Sequence, residues 1–253
     1  MSLDLTPRAG AAPRPTRIGS HARVEASLMV TNGEQLLLAL VIPVGALIAG
    51  SLFGDRIGLD PQVFPASVLA LAVWSTSFTS LAITTSFERR YGVLERLVAT
   101  PLRRADLVAG KAVATAAVAL VQVLLLAVVA LGLGWRPSPT PGGTVVAVVG
   151  IPLAMVTFAG FALALAGRLR AEATLALANL IYLVVAAAGG VLLPVSSYPA
   201  AIQPVVAVLP FAALGETLRA WAVGAAPLLH LAQLAGWAVI SLILARKAFS
   251  WTS

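Results

Sequence analysis

The sequence has no cysteine, only ten acidic residues and two histidines, and few aromatics (6%) across 253 residues. The missing thiols exclude a disulfide-stapled secreted scaffold and any Cys-based metal or redox chemistry. Charge is scarce as well. With 17 Lys and Arg included, charged residues reach 11% of the chain, against roughly 25% in a soluble domain, and 59% is hydrophobic. So few polar groups do not cover the surface of a water-soluble globule of this size. An ordinary cytosolic enzyme and a disordered tail are excluded, and an integral membrane protein remains.

The net charge of +7 and a pI near 11 would point to nucleic acid in a soluble domain. Here the charges sit in short clusters between apolar runs, so no nucleic-acid partner is expected. A helix crossing about 30 Å of hydrocarbon needs about 20 mostly apolar residues. Five uncharged stretches reach that length: Gln35 to Gly54, Pro61 to Phe87, Ala112 to Trp135, Pro137 to Gly167 and Ala220 to Ala245. A sixth, Ala173 to Gly215, is too long for one crossing. Pro194, Pro199, Pro204 and Pro210 stop its helix after about Leu193. Residues 194–219 are then expected as two short helices that enter the outer leaflet without crossing it.

Six crossings put both termini on one side. Fourteen of the seventeen Lys and Arg fall on that side, leaving Arg56, Arg136 and Arg219 on the other. The positive-inside rule makes the crowded side cytoplasmic. The expected organisation is a disordered tail over 1–15, an amphipathic interfacial helix over 16–34 carrying Ile18, Val24, Leu28 and Met29, and a six-span domain over 35–249. No signal peptide is read at the N-terminus, whose basic part lacks an apolar core after it.

The segment Glu88 to Lys111 holds nine charges in 24 residues. Tyr91, Leu94, Leu97 and Val98 recur at helical spacing with Arg89, Arg90, Glu95 and Arg96 opposite, and Pro101 ends the pattern. Such a helix packs either into lipid headgroups or onto a cytoplasmic partner. No GxxxxGK[ST] loop exists: Ala105 stands where the first Gly is required and Ala112 where the hydroxyl is required, around Gly110 and Lys111. No carboxylate falls within a predicted span, which argues against an ion-coupled secondary transporter. His21 and His230 are isolated, so no metal site is expected; His21 is read as solvated and His230 as a capping or snorkelling group. Inside the spans the polar groups are neutral: Trp74, a Ser/Thr run from Ser75 to Thr85, Gln122, Asn179 and Tyr182. Interhelical hydrogen bonding accounts for such groups as readily as solute contact does.

The pattern Glu88, Gly92, Leu94, Arg96, Leu97, Pro101, Gly110 and Lys111 resembles the cytoplasmic loop of ABC-2 type transporter permeases, a group that includes the daunorubicin-resistance permeases of actinobacteria. LLPVSSYP from Leu192, LPFAALGETLR from Leu209 and RVEASLMVTNGEQLLLALVIPV from Arg23 resemble other parts of the same family in the same order. The resemblance implies an all-α integral membrane fold of the type V exporter kind, with six transmembrane helices, an N-terminal amphipathic helix, a cytoplasmic coupling helix and an outer re-entrant hairpin. It implies a plasma-membrane permease that exports a hydrophobic or amphipathic solute: drug-like, lipid or tetrapyrrole. The chain itself is then no enzyme and holds no cofactor; a partner ATPase binds ATP and Mg.

By this match Glu88, Tyr91, Gly92, Leu94, Glu95, Arg96, Leu97 and Pro101 form the ATPase-coupling set, with Gly92 read as a close-approach point within a helix. Trp74, Thr76, Phe78, Asn179 and Tyr182 line a cleft between two permease chains, the same or similar, embedded in membrane lipid. The competing expectations are a membrane-embedded assembly or anchoring factor without transport, and a secondary transporter.

Overall fold

The computed structural model describes residues 10–31 and 33–248. Most of the tail expected over 1–15, with Arg8 of the charge count, lies outside them, as do the side chains of residues 34–39 and of Asp55, Ile57, Val98 and Arg104. Eleven α-helices follow in chain order, with no strand among the described residues. They are α1 (Arg14–Thr31), α2 (Gly33–Phe53), α3 (Phe64–Trp74), α4 (Leu81–Arg90), α5 (Val93–Val98), α6 (Arg104–Gly132), α7 (Pro141–Ala166), α8 (Ala171–Ala188), α9 (Gln203–Val208), α10 (Pro210–Ala222) and α11 (Leu228–Ala248). A π-helical stretch, Ser75–Ser80, joins α3 to α4 into one rod. Among the described residues, five helices are long and apolar enough to cross a membrane: Phe64–Arg90, Ala105–Gly132, Pro141–Ala166, Ala171–Ala188 and Leu228–Ala248. The expected first span coincides with the 21-residue α2, whose described apolar part is Leu40–Phe53.

Local chemistry sets the helix ends. Pro141 opens α7 at a position whose N–H has no helical partner, and the Thr140 hydroxyl accepts from the Gly143 N–H at 3.2 Å. Pro210 opens α10 in the same way. The fifth span ends at Ala188, earlier than the expected Leu193. Gly190 there adopts φ +74°, a left-handed conformation open to glycine, and the Tyr198 hydroxyl donates to the Ala187 carbonyl while accepting from the Gly190 N–H. Two short helices, α9 and α10, stand where the prolines divide the chain.

The rod α3–α4 occupies the centre: from Ala66 to Trp74 every residue is buried. Around it α6, α7 and α10 pack, with α11 against the outer side of α7. At Gly160 an added Cβ would lie 2.6 Å from the Ser241 Oγ and 2.8 Å from the Ser241 carbonyl carbon. Glycine therefore lets α7 and α11 approach backbone to backbone, as small residues do in membrane helix pairs. The buried Arg219 of α10 ties the outer segment to the rod. It donates to the Ser67 hydroxyl (2.9 Å), the carbonyls of Val191 (3.0 Å) and Gly190 (2.8 Å), and Glu216 (3.0 Å). Glu216 in turn accepts the Val195 N–H at 2.9 Å.

The ends of the bundle differ in charge. The start of α1, the α4–α6 connection, the α7–α8 turn and the end of α11 share the basic end, as Arg89 donating to the Leu169 carbonyl at 2.6 Å and the Arg90–Glu172 ion pair show. The opposite end is closed by Ser138 N–H to the Ala222 carbonyl and Trp135 Nε1 to the Gln62 carbonyl.

Gly160→Ala is expected to lower stability by about 1–3 kcal/mol, because the Ser241 backbone has to move. Thermal unfolding of the detergent-solubilised chain measures it; an unchanged midpoint would mean that the two helices do not meet there.

Candidate coupling site and the cavities above it

Helix α1 runs parallel to the first half of α6 and turns a partly polar face toward it. His21, Ala22 and Glu25 are buried against α6, whereas Val24 and Leu28 are 58% and 54% exposed. Of the apolar stripe read from the sequence, Val24 and Leu28 point away from the protein while Ile18 and Met29 are half-buried, and the polar His21 and Glu25 face α6. The reason is Lys111. Its Nζ donates to both oxygens of Glu25 (2.9 and 2.8 Å) and to Glu88 Oε1 (2.8 Å), joining α1, α4 and α6 in one buried knot. His21 stands one turn before Glu25, with Nε2 3.4 Å from its carboxylate. Its ring lies over Gly110, where a Cβ would come within 2.4 Å. His21 is thus packed inside, not solvated. Burial pushes its pKa below the ordinary value; Lys111 lowers it further, while Glu25 and a hydrogen bond to the Leu107 backbone oppose this.

Two more ties hold the same region. Asp106, fully buried in the first turn of α6, pairs with Arg14 at 2.7 Å and Arg17 at 3.4 Å. Arg17 also donates to the Pro101 carbonyl at 2.6 Å, so α1 holds the end of the coupling segment. Through Arg89 and Arg90 the end of α4 is bound to the α7–α8 turn.

The expected coupling residues divide. Tyr91 (62% exposed), Glu95, Arg96 and Pro101 face outward at the basic end, and Leu97 is half-buried. Leu94 is 1% exposed and anchors α5 from within. Glu88 is turned into the Lys111 knot, which corrects its reading as an outward contact. Gly92 is not inside a helix: at φ +65° it makes the turn between α4 and α5, a conformation costly for residues with a Cβ. That turn interrupts the helical spacing and separates Tyr91 from the stripe it was assigned to.

Higher in the bundle the candidate cleft residues also divide. Trp74 is fully buried, stacked on Phe78 (centroids 4.3 Å apart) and edge-on to Phe158 (4.9 Å) and Phe211 (4.5 Å). The Thr76 hydroxyl donates to the side-chain amide oxygen (Oε1) of Gln122 of α6. Two positions apart on the helix, the pairs Trp74/Phe78 and Thr76/Ser80 point in opposite directions. Thr76 and Ser80 face a cavity of about 410 Å³ shared with α1, α2 and α6; Trp74 and Phe78 back a second of about 450 Å³ shared with α7, α8, α10 and α11. Asn179 lies on the exposed face of α8, and Tyr182, half-buried, packs toward the core. The structure thus brings Trp74 and Phe78 together and leaves Asn179 apart.

The Lys111 knot was not foreseen, because its members lie 86 and 23 positions apart. The one signal available was His21 and Glu25 at i, i+4 on a helix whose polar face was assumed to meet water.

The family model described as ABC-2 type transporter matches residues 22–222, well over half of the chain. A search of curated proteins finds no match. The chain belongs to the ABC-2 type transporter family: it is a multi-pass membrane permease subunit that works with an ABC ATPase subunit.

Two carboxylates share one ammonium, which makes the knot asymmetric. Lys111→Met is expected to cost about 3–5 kcal/mol by leaving two buried carboxylates unpaired, whereas Glu25→Gln leaves a one-to-one pair and costs far less. Unfolding midpoints of the two variants test this order, and equal losses would contradict it. A separate expectation concerns pH. A histidine held below its ordinary pKa favours the fold above that value, so stability falls as pH drops through and below about 6.5. His21→Gln should flatten this part of the stability profile; an identical slope in the variant would place the titration elsewhere.

Proposed function

We propose that this permease exports a hydrophobic or amphipathic solute across the plasma membrane, with both termini cytoplasmic and an ATPase seated on α5. The observation that carries the reading is the three-way tie of the Glu88–Lys111 segment. Its outer surface is exposed, yet it is bound to α1 and α6 through Lys111, to α1 through Arg17, and to the α7–α8 turn through Arg89 and Arg90. A push on α5 therefore reaches four helices at once. The clustering of basic residues at the same end supports its cytoplasmic placement.

Export follows the resemblance to drug-resistance permeases. Hydrolysis in the ATPase supplies the work; this chain supplies the lever and the path. Gly92 gives α5 a sharp turn, so force arrives at Glu88 across one joint. The ties then move α1 and α6 together with α4 relative to α3, the two halves of the rod meeting at the π-helical stretch, which lies level with both cavities and is the place where helical registry is already altered. Asn179 supports a second permease chain: a side-chain amide on an outward face in hydrocarbon is unfavourable, and a partner copy or homologue covers it. The apolar walls with sparse hydroxyls and amides favour a solute of the same character.

Co-purification with the ATPase encoded beside the permease tests the reading. Arg96→Glu and Leu97→Asp are expected to weaken the complex about tenfold or more, as loss of an interface anchor does. Gly92→Val is expected to preserve the complex and lower permease-dependent ATP turnover. Folded variants that leave both association and turnover unchanged would move the docking surface away from α5.

A further inference from the structure

The cavity behind Trp74 and Phe78 differs in chemistry from its neighbour across the rod. The cavity bordered by Thr76, Ser80 and Gln122 has only neutral groups around it among the described residues. The one behind Trp74 has an apolar floor, formed by Phe161 and Leu165 of α7, Ile181 of α8 and Leu244 of α11, and two cations at its rim, Arg168 and Lys247. Both cations are exposed, and among the described residues neither forms an ion pair. Their neighbours are different: Arg89 is bound to the α7–α8 turn and Arg90 to Glu172. Arg168 belongs to that turn and Lys247 to the last turn of α11, so both sit at the basic end of the bundle, where the membrane-length helices α7 and α11 terminate.

We propose that this crevice is a binding site for one anionic phospholipid of the adjoining leaflet. An acyl chain lies along Phe161, Leu165, Ile181 and Leu244, and the phosphate is held between Arg168 and Lys247. The volume, about 450 Å³, falls in the roughly 300–1,000 Å³ range of ligand pockets. Basic openings between membrane helices favour acidic headgroups for the electrostatic reason seen here: two exposed cations with no ion-pair partner among the described residues. A small anion gains nothing from the aromatic floor, and a zwitterionic lipid gains little from the rim. Because Trp74 and Phe78 form the back wall, an occupied crevice touches the π-helical stretch directly. The site does not depend on where the ATPase docks.

Native mass spectrometry of the full chain, extracted from vesicles of equal phosphatidylglycerol and phosphatidylcholine, tests the proposal. One phosphatidylglycerol per chain is expected to be retained over phosphatidylcholine by about tenfold or more. The double variant R168Q/K247Q should bring the ratio near parity, R168K/K247R should keep the preference, and Leu165→Trp should remove lipid of both kinds. Inorganic phosphate in excess should leave the bound lipid in place. Should Leu165→Trp fail to fold, as thermal unfolding would reveal, Ala248→Trp blocks the cavity from the rim with the same expected loss. Parity in the unmodified chain, an undiminished preference in R168Q/K247Q, or displacement by phosphate would each overturn the assignment.

Discussion

One ammonium set between two carboxylates organises the basic end of the molecule. Lys111 leaves water only because Glu25 and Glu88 satisfy its three N–H donors, and each carboxylate is buried only because Lys111 is there. This interdependence sets the rotation of α1: His21 and Glu25 face α6, and Val24 and Leu28 point away from the protein. The position of α5 follows, since α4 enters its final turn with Glu88 already fixed and Gly92 reverses direction immediately afterwards. Coupling residues are thus displayed by what lies beneath them.

Much of the fold was legible because hydrocarbon imposes a simple code. The apolar runs fall on α2, the α3–α4 rod, α6, α7, α8 and α11, and the prolines locate α9 and α10. Periodicity failed where a backbone exception intervened. Gly92 and Gly190 adopt positive φ, and neither the break before α5 nor the early end of α8 can be read from apolar spacing. Long-range ionic contacts were also illegible. Glu25, Glu88 and Lys111 look like ordinary membrane-surface charges until the chain brings them together. Of the candidate cleft residues, which came from the resemblance alone, Trp74 and Phe78 stand at i and i+4 and share a face, and their deep burial depends on Phe158 and Phe211 from two other helices.

The centre of the bundle is a partition. Trp74 and Phe78 face one side of the rod and Thr76 and Ser80 the other, as residues two apart on a helix do. The outer segment is joined to this partition by Arg219, which reaches Ser67 in the same rod. Both ends of the molecule therefore communicate with one central element through buried cations, Lys111 below and Arg219 above.

The outward-facing apolar side of α1 has a practical corollary. Val24, Leu28 and Val30 rely on surrounding amphiphile for cover, so a micelle that fits this ridge poorly leaves it bare. Aggregation during purification would then begin at this helix while the transmembrane core is still intact, and the choice of surfactant head size and tail length would govern whether the isolated chain stays monodisperse.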